Sequence, residues 1–341
     1  MRTLAVTAAL VLCASAAAAQ VVATEVDTTA GYSTEDVSAV ATQIRAFGEV
    51  RGGIRFFGEA AWGARYFTES RPKSATDVFG AAYPYENRAQ VIEAYGERTF
   101  TPGRGLIGLR AGRFRTPFGI YNRGDYAYSG FLRAPMIRYD DYFALSNNFL
   151  EHGADLIVGA PQAFIEASVG APADVGVVHR RSGVDTVIRA QAYYRSVIVG
   201  ASHYRAMPYQ PEYFAKGRAV FTGVDVRWMH GGIQARGEFI TGRPFDGTTT
   251  TGGYVDLLVH RVGMGPVTAV ARLERLDYDT TPPFMLFARR AMAGARIRIP
   301  GGLTAQIAGG HQWRQQIQRD RTALDLSLTY SLRHDVETRR Q

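Results

Sequence analysis

The chain has 341 residues, 46% of them hydrophobic, and a formal charge of +8 carried almost wholly by arginine, because Lys73 and Lys216 are the only lysines. This length makes one large domain or two ordinary ones, and the apolar content excludes a disordered chain. The arginine bias fits a GC-rich genome. No run of clustered Lys/Arg accompanies it, so nucleic acid is not an expected partner.

The first element, MRTLAVTAALVLCASAAAAQ, starts with Arg2, continues with an apolar stretch from Leu4 to Ala16, and ends in the small residues Ala17, Ala18 and Ala19 before Gln20. It reads as a secretory signal peptide over 1–19. The only cysteine, Cys13, lies inside it. Leu12 precedes it where lipoprotein processing needs a small residue. The exported chain then carries no cysteine and has to be stable without disulfides. No later window is apolar for the ~18 residues that a membrane helix needs. Two classes remain, a soluble exported protein and a membrane β-barrel, and the barrel demands many segments of roughly ten residues with period-two alternation.

The rest of the chain meets that demand. VVATEVDTTAGYS (21–33) is the expected first strand, with 31–40 as the first long loop. In 54–66, Ile54, Phe56, Gly58, Ala60, Trp62, Ala64 and Tyr66 oppose Arg55, Glu59 and Arg65. Segments 89–99 and 105–115 carry charge on both faces, which a bulge or a rim position would explain. In 232–240, Ile233, Ala235 and Phe239 oppose Gln234, Arg236 and Glu238. In 290–299, Ala291, Ala293, Ala295, Ile297 and Ile299 oppose Arg290, Arg296 and Arg298. In 303–313, Leu303, Ala305, Ile307 and Trp313 oppose Thr304, Gln306 and Gln312. From Leu324 to Leu332 every second residue is Leu or Tyr, with Asp325, Ser327, Thr329 and Ser331 between them. Successive strand side chains point to opposite faces, so one face is expected to meet lipid and the other water.

The links between these segments alternate in length. Arg51-Gly52-Gly53, 101–104, Ala160-Pro161, 195–196, His230-Gly231, 263–265 and Pro300-Gly301-Gly302 are short, and the intervening connections are longer, the longest being 116–149. Short turns on one rim and long loops on the other predict an all-β transmembrane antiparallel barrel of about 16 strands with both chain ends on the short-turn side. A soluble sandwich or propeller also has short, evenly spaced strands. Its inner core would not hold a face this charged, and no blade motif recurs along the chain. Trp62, Tyr66, Trp228, Trp313 and Tyr330 are expected as interfacial aromatics.

With the signal peptide, the alternating strands and the closing LDLSLTYSL (324–332) in view, the chain resembles Gram-negative outer-membrane porins. GRFRTPFGIYN (112–122) is similar to a stretch of phosphate-selective-porin-like proteins. The resemblance implies a barrel over 20–333 in the bacterial outer membrane, exported through the periplasm and inserted by the outer-membrane assembly machinery. It further implies a homotrimer, and a third long loop, 116–149, folded inward as a constriction. Two features depart from the pattern. Leu332 stands where such chains end on an aromatic, and Arg333 to Gln341 follow, with 334–341 expected as a tail. The near-absence of lysine also means that phosphate selectivity is not carried over.

The expected function is passive diffusion of small hydrophilic or charged solutes, with a substrate-specific channel or a surface-binding barrel without transport as the alternatives. In the long loop, Arg123, Asp125, Arg133, Arg138, Asp140 and Asp141 are candidate constriction charges. On the inward faces, Glu93, Glu97, Arg110, Glu151, Asp155, Arg227, Arg236, Arg272, Arg290, Arg296 and Arg298 are candidate lining residues. The acids of 89–166 and the arginines of 290–298 would lie nearly opposite in the ring. That arrangement predicts either a transverse field or local cross-strand ion pairing. Ala291, Ala293 and Ala295 suit a subunit contact or lipid equally. Histidines 152, 179, 203, 230, 260, 311 and 334 are scattered, and no metal or phosphate-loop motif is present. No cofactor, metal or catalysis is therefore expected. His152, near Glu151 and Ser146, is the one place where a spatial triad could form.

Overall fold

The computed structural model describes residues 19–35, 37–50, 52–67, 86–120, 131–139, 150–173, 183–206, 218–244, 249–260, 265–279, 286–314 and 320–337. Sixteen strands run in order: β1 (Ala19–Ser33), β2 (Val37–Val50), β3 (Ile54–Phe67), β4 (Glu86–Phe100), β5 (Leu106–Arg115), β6 (Leu150–Ala160), β7 (Ala163–Pro172), β8 (Asp185–Tyr194), β9 (Val197–Ala206), β10 (Ala219–His230), β11 (Ile233–Arg243), β12 (Thr249–His260), β13 (Val267–Asp279), β14 (Leu286–Ile299), β15 (Leu303–Arg314) and β16 (Arg321–Glu337). Among the described residues a helical turn, α1 (Met136–Tyr139), lies between β5 and β6. Each strand pairs antiparallel with the next, and β1 pairs with β16, which closes the barrel.

The alternation in the sequence becomes the two faces of this wall. On β16, Leu324, Leu326, Leu328, Tyr330 and Leu332 are 39–51% exposed on the outside, whereas Asp325 is 1% exposed on the inside. On β14, Ala291, Ala293, Ala295, Ile297 and Ile299 share the outer face, while Arg290 and Met292 are buried within. Lipid offers no hydrogen-bond partner for backbone groups, so a spanning sheet has to close on itself. The outer face is apolar because hydrocarbon is its solvent.

Several local expectations are corrected. The first connection is not a ten-residue loop over 31–40, because β1 continues to Ser33 and β2 starts at Val37. Four residues of the expected tail, 334–337, belong to β16, which pairs from Glu337 opposite Val21 to Asp325 opposite Ser33. Trp62 lies in the middle of β3 and not at its end. The mixed charge pattern of 89–99 has its source in a bulge: Glu93 stands opposite Glu59, and Val91 opposite the next residue, Ala60. The additional residue, Ile92, is 1% exposed, so Ile92 and Glu93 both turn inward. In 105–115 the irregular residue is Gly112, at φ +135°, where a Cβ would collide with the backbone of Ala94 and Tyr95.

This two-sided wall predicts an asymmetric response to charge. Leu328→Arg puts a guanidinium in the apolar outer band and should cost about 2–4 kcal/mol if that position lies at mid-membrane depth. Ser327→Arg, one residue away on the inner face, should cost far less. Urea unfolding of the barrel in lipid vesicles reads the difference. Equal destabilisation by both variants would refute the assignment of faces.

Candidate functional site

The described parts of the connection after β5 lie inside the barrel. Thr116 to Ile120 and Phe131 to Arg138 are all buried, and their partners are inward residues of the opposite wall. Gly119 N donates to Ser202 Oγ on β9 (3.1 Å), and Ile120 N donates to Glu238 Oε1 on β11 (2.7 Å). The Phe118 ring packs edge-on to Tyr204 at 6.5 Å and against Gly223, whose missing Cβ leaves room for it. The chain returns to the same place at Arg138. Its guanidinium bonds Glu238 through Nη2 (2.8 Å) and Nε (3.1 Å), and it also donates to the Phe118 carbonyl (3.0 Å). Glu238 thus fastens residues 120 and 138 together on one strand of the wall. Gly119 has φ +60°, and a Cβ there would overlap the Glu238 carboxylate and the Arg138 guanidinium, so glycine is required on both counts.

Residues 131–136 lie against the wall near β12–β16 and the end of β1. Arg133 makes a two-toothed contact with Asp325 (2.7 and 2.9 Å), bonds Ser33 Oγ (3.1 Å), and pairs with Glu35 (2.7 Å). The wall answers with its own arginines. Arg272 Nη1 donates to the Arg133 carbonyl (2.8 Å) and Arg290 Nη2 to the Ala134 carbonyl (2.6 Å), while Met136 N donates to Glu274 Oε2 (2.7 Å). Arg272 also lies over the Phe131 ring at 4.8 Å. Apolar side chains fill the gaps: Phe131 joins Leu258, Val270, Met292 and Ala308 in one cluster, and Phe118, Leu132 and Ile137 join Tyr204, Phe221, Ile240 and Tyr254 in another.

The remaining inner wall is laced with ion pairs between neighbouring and next-but-one strands. Arg110 on β5 meets Glu97 (2.8 Å), Asp155 (3.1 Å) and Glu166 (3.8 Å). Arg115 meets Glu59 (2.6 Å) and Glu93 (3.3 Å), and Arg45 meets Glu25 (3.2 Å) and Asp27 (3.5 Å). Arg189 pairs with Asp225 (2.7 Å), Arg290 with Glu274 (2.8 Å), and Arg236 and Arg272 share Asp256. Glu151 accepts from Ser168 (3.1 Å). Arg227 lies in register with Arg236. Arg296 faces Thr268 and Gln306, and Arg298 faces Thr304, so their register neighbours are uncharged.

Of the sequence candidates, Arg133 and Arg138 come together with Arg272 and Arg290 around the inward segment. Glu93, Glu97, Arg110, Glu151 and Asp155 occupy β4–β6. Arg123, Asp125, Asp140 and Asp141 lie outside the described residues. His152 is exposed while its neighbour Glu151 is buried on the inner face, so those two do not converge. Ser146 lies outside the described residues. Sequence reasoning missed Glu25, Asp27, Glu35, Arg115, Asp256 and Arg321. Asp256 was hidden because both faces of β12 are apolar around it, and Glu35 because it fell in the expected first loop. Among the described residues no group of three or more His, Cys, Asp or Glu side chains is arranged to hold a metal ion.

No family model matches the chain, and no curated protein matches it by sequence. Solved structures do match. OmpF of Salmonella typhi, in a complex with daunomycin, superposes with a TM-score of 0.63 at 11% identity, over 92% of this chain and 98% of that one. An anion-selective porin from Comamonas acidovorans gives 0.60 at 9% identity, over 92% and 99%. The outer membrane protein OpdK from Pseudomonas aeruginosa gives 0.55 at 11% identity, over 92% and 99%. At these identities the likeness concerns architecture, and by architecture the chain has the 16-stranded barrel fold of the outer-membrane porins.

Proposed function

We propose that the protein is an outer-membrane porin through which small hydrophilic or charged solutes diffuse passively, with segment 116–149 as its constriction. The observation that carries this reading is the seat of residues 116–120 and 131–138 on the inner wall, beside a lining of paired charges. A segment held there narrows the lumen without closing a covalent gate, and a charged lining favours hydrated solutes over apolar ones. The stretch 112–122, which resembles phosphate-selective-porin-like chains, supplies Phe118 and Gly119 to the seat. Ion preference is therefore assigned to the lining charges. The exported location, contact with the assembly machinery and a trimeric state belong to the same proposal. A substrate-specific channel is the second reading, favoured by the density of oriented arginine and carboxylate groups.

Liposome swelling with sugars of graded size tests the proposal. Entry should fall smoothly with solute size. Exclusion of every sugar would favour a barrel without transport, and entry of one sugar alone would favour the substrate-specific reading.

Charge on the inner face of β14 should bear on ion preference. Arg296→Glu combined with Arg298→Glu should move the ion preference of single channels in planar bilayers towards cations. An unchanged anion/cation ratio would reject a selective role for these residues.

The seat makes a further demand. Glu238→Gln leaves Arg138 buried without its countercharge, a loss of about 3–5 kcal/mol for a buried pair. The variant should show a larger and noisier single-channel conductance and faster trypsin cleavage after Arg138, with the barrel retained by circular dichroism. Wild-type conductance would mean that the segment does not limit the pore.

A further inference from the structure

The outer face of β9–β11 carries charge that the channel reading does not use. Arg205 on β9 and Arg243 on β11 both stand opposite Val220 on the intervening β10. Both are exposed, whereas Tyr204 and Ala206, on either side of Arg205, are buried on the inner face. Among the described residues neither arginine has an ion-pair partner. With strands ~4.8 Å apart, their backbones lie about 10 Å from one another, and two arginine side chains can converge on one anion above Val220.

The rungs below them show what kind of surface this is. His203, Thr222, Thr241 and Thr251 lie side by side in register across β9–β12. His203 Nδ1 and Thr222 Oγ1 are hydrogen-bonded at 2.9 Å, as are Thr241 and Thr251 at 3.0 Å. The nearest acid on that rung, Asp277, is already held by Arg275 at 2.7 Å. One rung further in, the outer face is Ala201, Val224, Phe239 and Gly253, and from there it stays apolar down to Trp228 near the short-turn rim. From Trp228 to Val220 on β10, or from Ile233 to Arg243 on β11, the climb is about 21–26 Å for strands rising ~3.4 Å per residue at a tilt of ~40°. An apolar band is ~25 Å tall. Trp228 anchors one interface, and the two arginines therefore lie in the headgroup plane of the other.

We propose that Arg205 and Arg243, with the His203–Thr222 pair beneath them, form a binding site for the phosphate of an outer-leaflet lipid. The acyl chains of that lipid would lie along the Ala201, Val224, Phe239 and Gly253 rung. Basic side chains just outside an apolar band attract anionic headgroups, and a guanidinium pair takes a phosphate by several hydrogen bonds at once. The site is independent of conduction, since it lies on the opposite face of the wall from the inward segment.

The experiment uses the full barrel in detergent, titrated with phosphatidic acid or with phosphatidylcholine of the same acyl chains, and counts retained lipid by native mass spectrometry. Arg205→Gln combined with Arg243→Gln should lower phosphatidic acid retention roughly thirtyfold, as expected for two surface charges, and leave phosphatidylcholine retention unchanged. Arg98→Gln removes an outward arginine at the short-turn end of β4 and should change neither. Equal retention of phosphatidic acid by wild type and double variant would overturn the proposal, as would an equal loss in Arg98→Gln. Complete displacement by millimolar inorganic phosphate would reassign the pair to free anion and also overturn it. Circular dichroism of each variant confirms that lost binding is not lost fold.

Discussion

The hydrogen-bonded seam between β1 and β16 is the constraint on which the rest of the molecule depends. An open sheet in hydrocarbon would leave a row of backbone N–H and C=O groups with no partner, at several kcal/mol each. Pairing Val21 with Glu337 through Ser33 with Asp325 removes both edges together. It also fixes parity around the ring, because a slip of one residue would carry Leu324 to Leu332 inside and Asp325 into lipid. The seam serves the interior too. Arg133 bonds Ser33 at the end of β1, Glu35 just beyond it, and Asp325 on β16. That site does not exist until the two strands meet, so this hold on the inward segment forms only on a closed barrel.

Within the ring there are two interiors with different physics. Along β1–β7 the inner wall holds a lattice of carboxylates and guanidinium groups from nearby strands, beside apolar residues of β2, β3, β4 and β6 that join the cluster around Phe118. Along β9–β16 it is a packed core against residues 116–120 and 131–138, with fully buried Arg138 and Arg272. Buried ion pairs seldom add net stability over apolar packing of similar volume, since desolvation offsets most of the attraction. Their effect here is positional. A guanidinium has five donors in a fixed plane, and the seat uses them in parallel: Arg272 holds Asp256 and the Arg133 carbonyl, and Arg290 holds Glu274 and the Ala134 carbonyl. A lysine at either place would supply a point charge without that fork. The arginine bias of the composition thus has a structural use at these positions, whatever its genomic origin.

The same division explains what was legible in the sequence. Alternation is readable where one side meets lipid and the other water, as in 324–332 and 290–299, and the barrel and its strand number followed from it. It fails where the inner face is itself a core. Tyr254 and Leu258 point inward as apolar residues because Ile137 and Phe131 lie over the inner wall there, so β12 is apolar on both faces and Asp256 between them did not stand out. Parity also fails at the Ile92 bulge, where one additional residue turns two successive side chains inward. The long loop drew attention by length. Which of its charges would be buried was not readable, since Arg133 and Arg138 take their roles from carboxylates 192 and 100 residues away.

Charge across the lumen has to be judged by what remains after pairing. Strands β6 and β7 carry Glu151, Asp155 and Glu166 and no Lys or Arg, while the inner face of β14 carries Arg290, Arg296 and Arg298 and no acid. In a ring of sixteen, β6 and β14 are diametrically opposed. A transverse field follows from that placement only if the charges are not neutralised nearby. Arg110 stands within 4 Å of Asp155 and Glu166, and Arg290 within 3 Å of Glu274. A pair at contact distance looks like a dipole from across the lumen, and in an electrolyte-filled pore its field decays over ~8 Å at physiological ionic strength. Among the described residues these pairs therefore project little field across the barrel, and they tie nearby strands into a stiff wall. Arg296 and Arg298 have threonine and glutamine as register neighbours. They lie on the short-turn side of Arg290, which holds the Ala134 carbonyl, so these two arginines and the groups that hold the inward segment occupy separate parts of the wall.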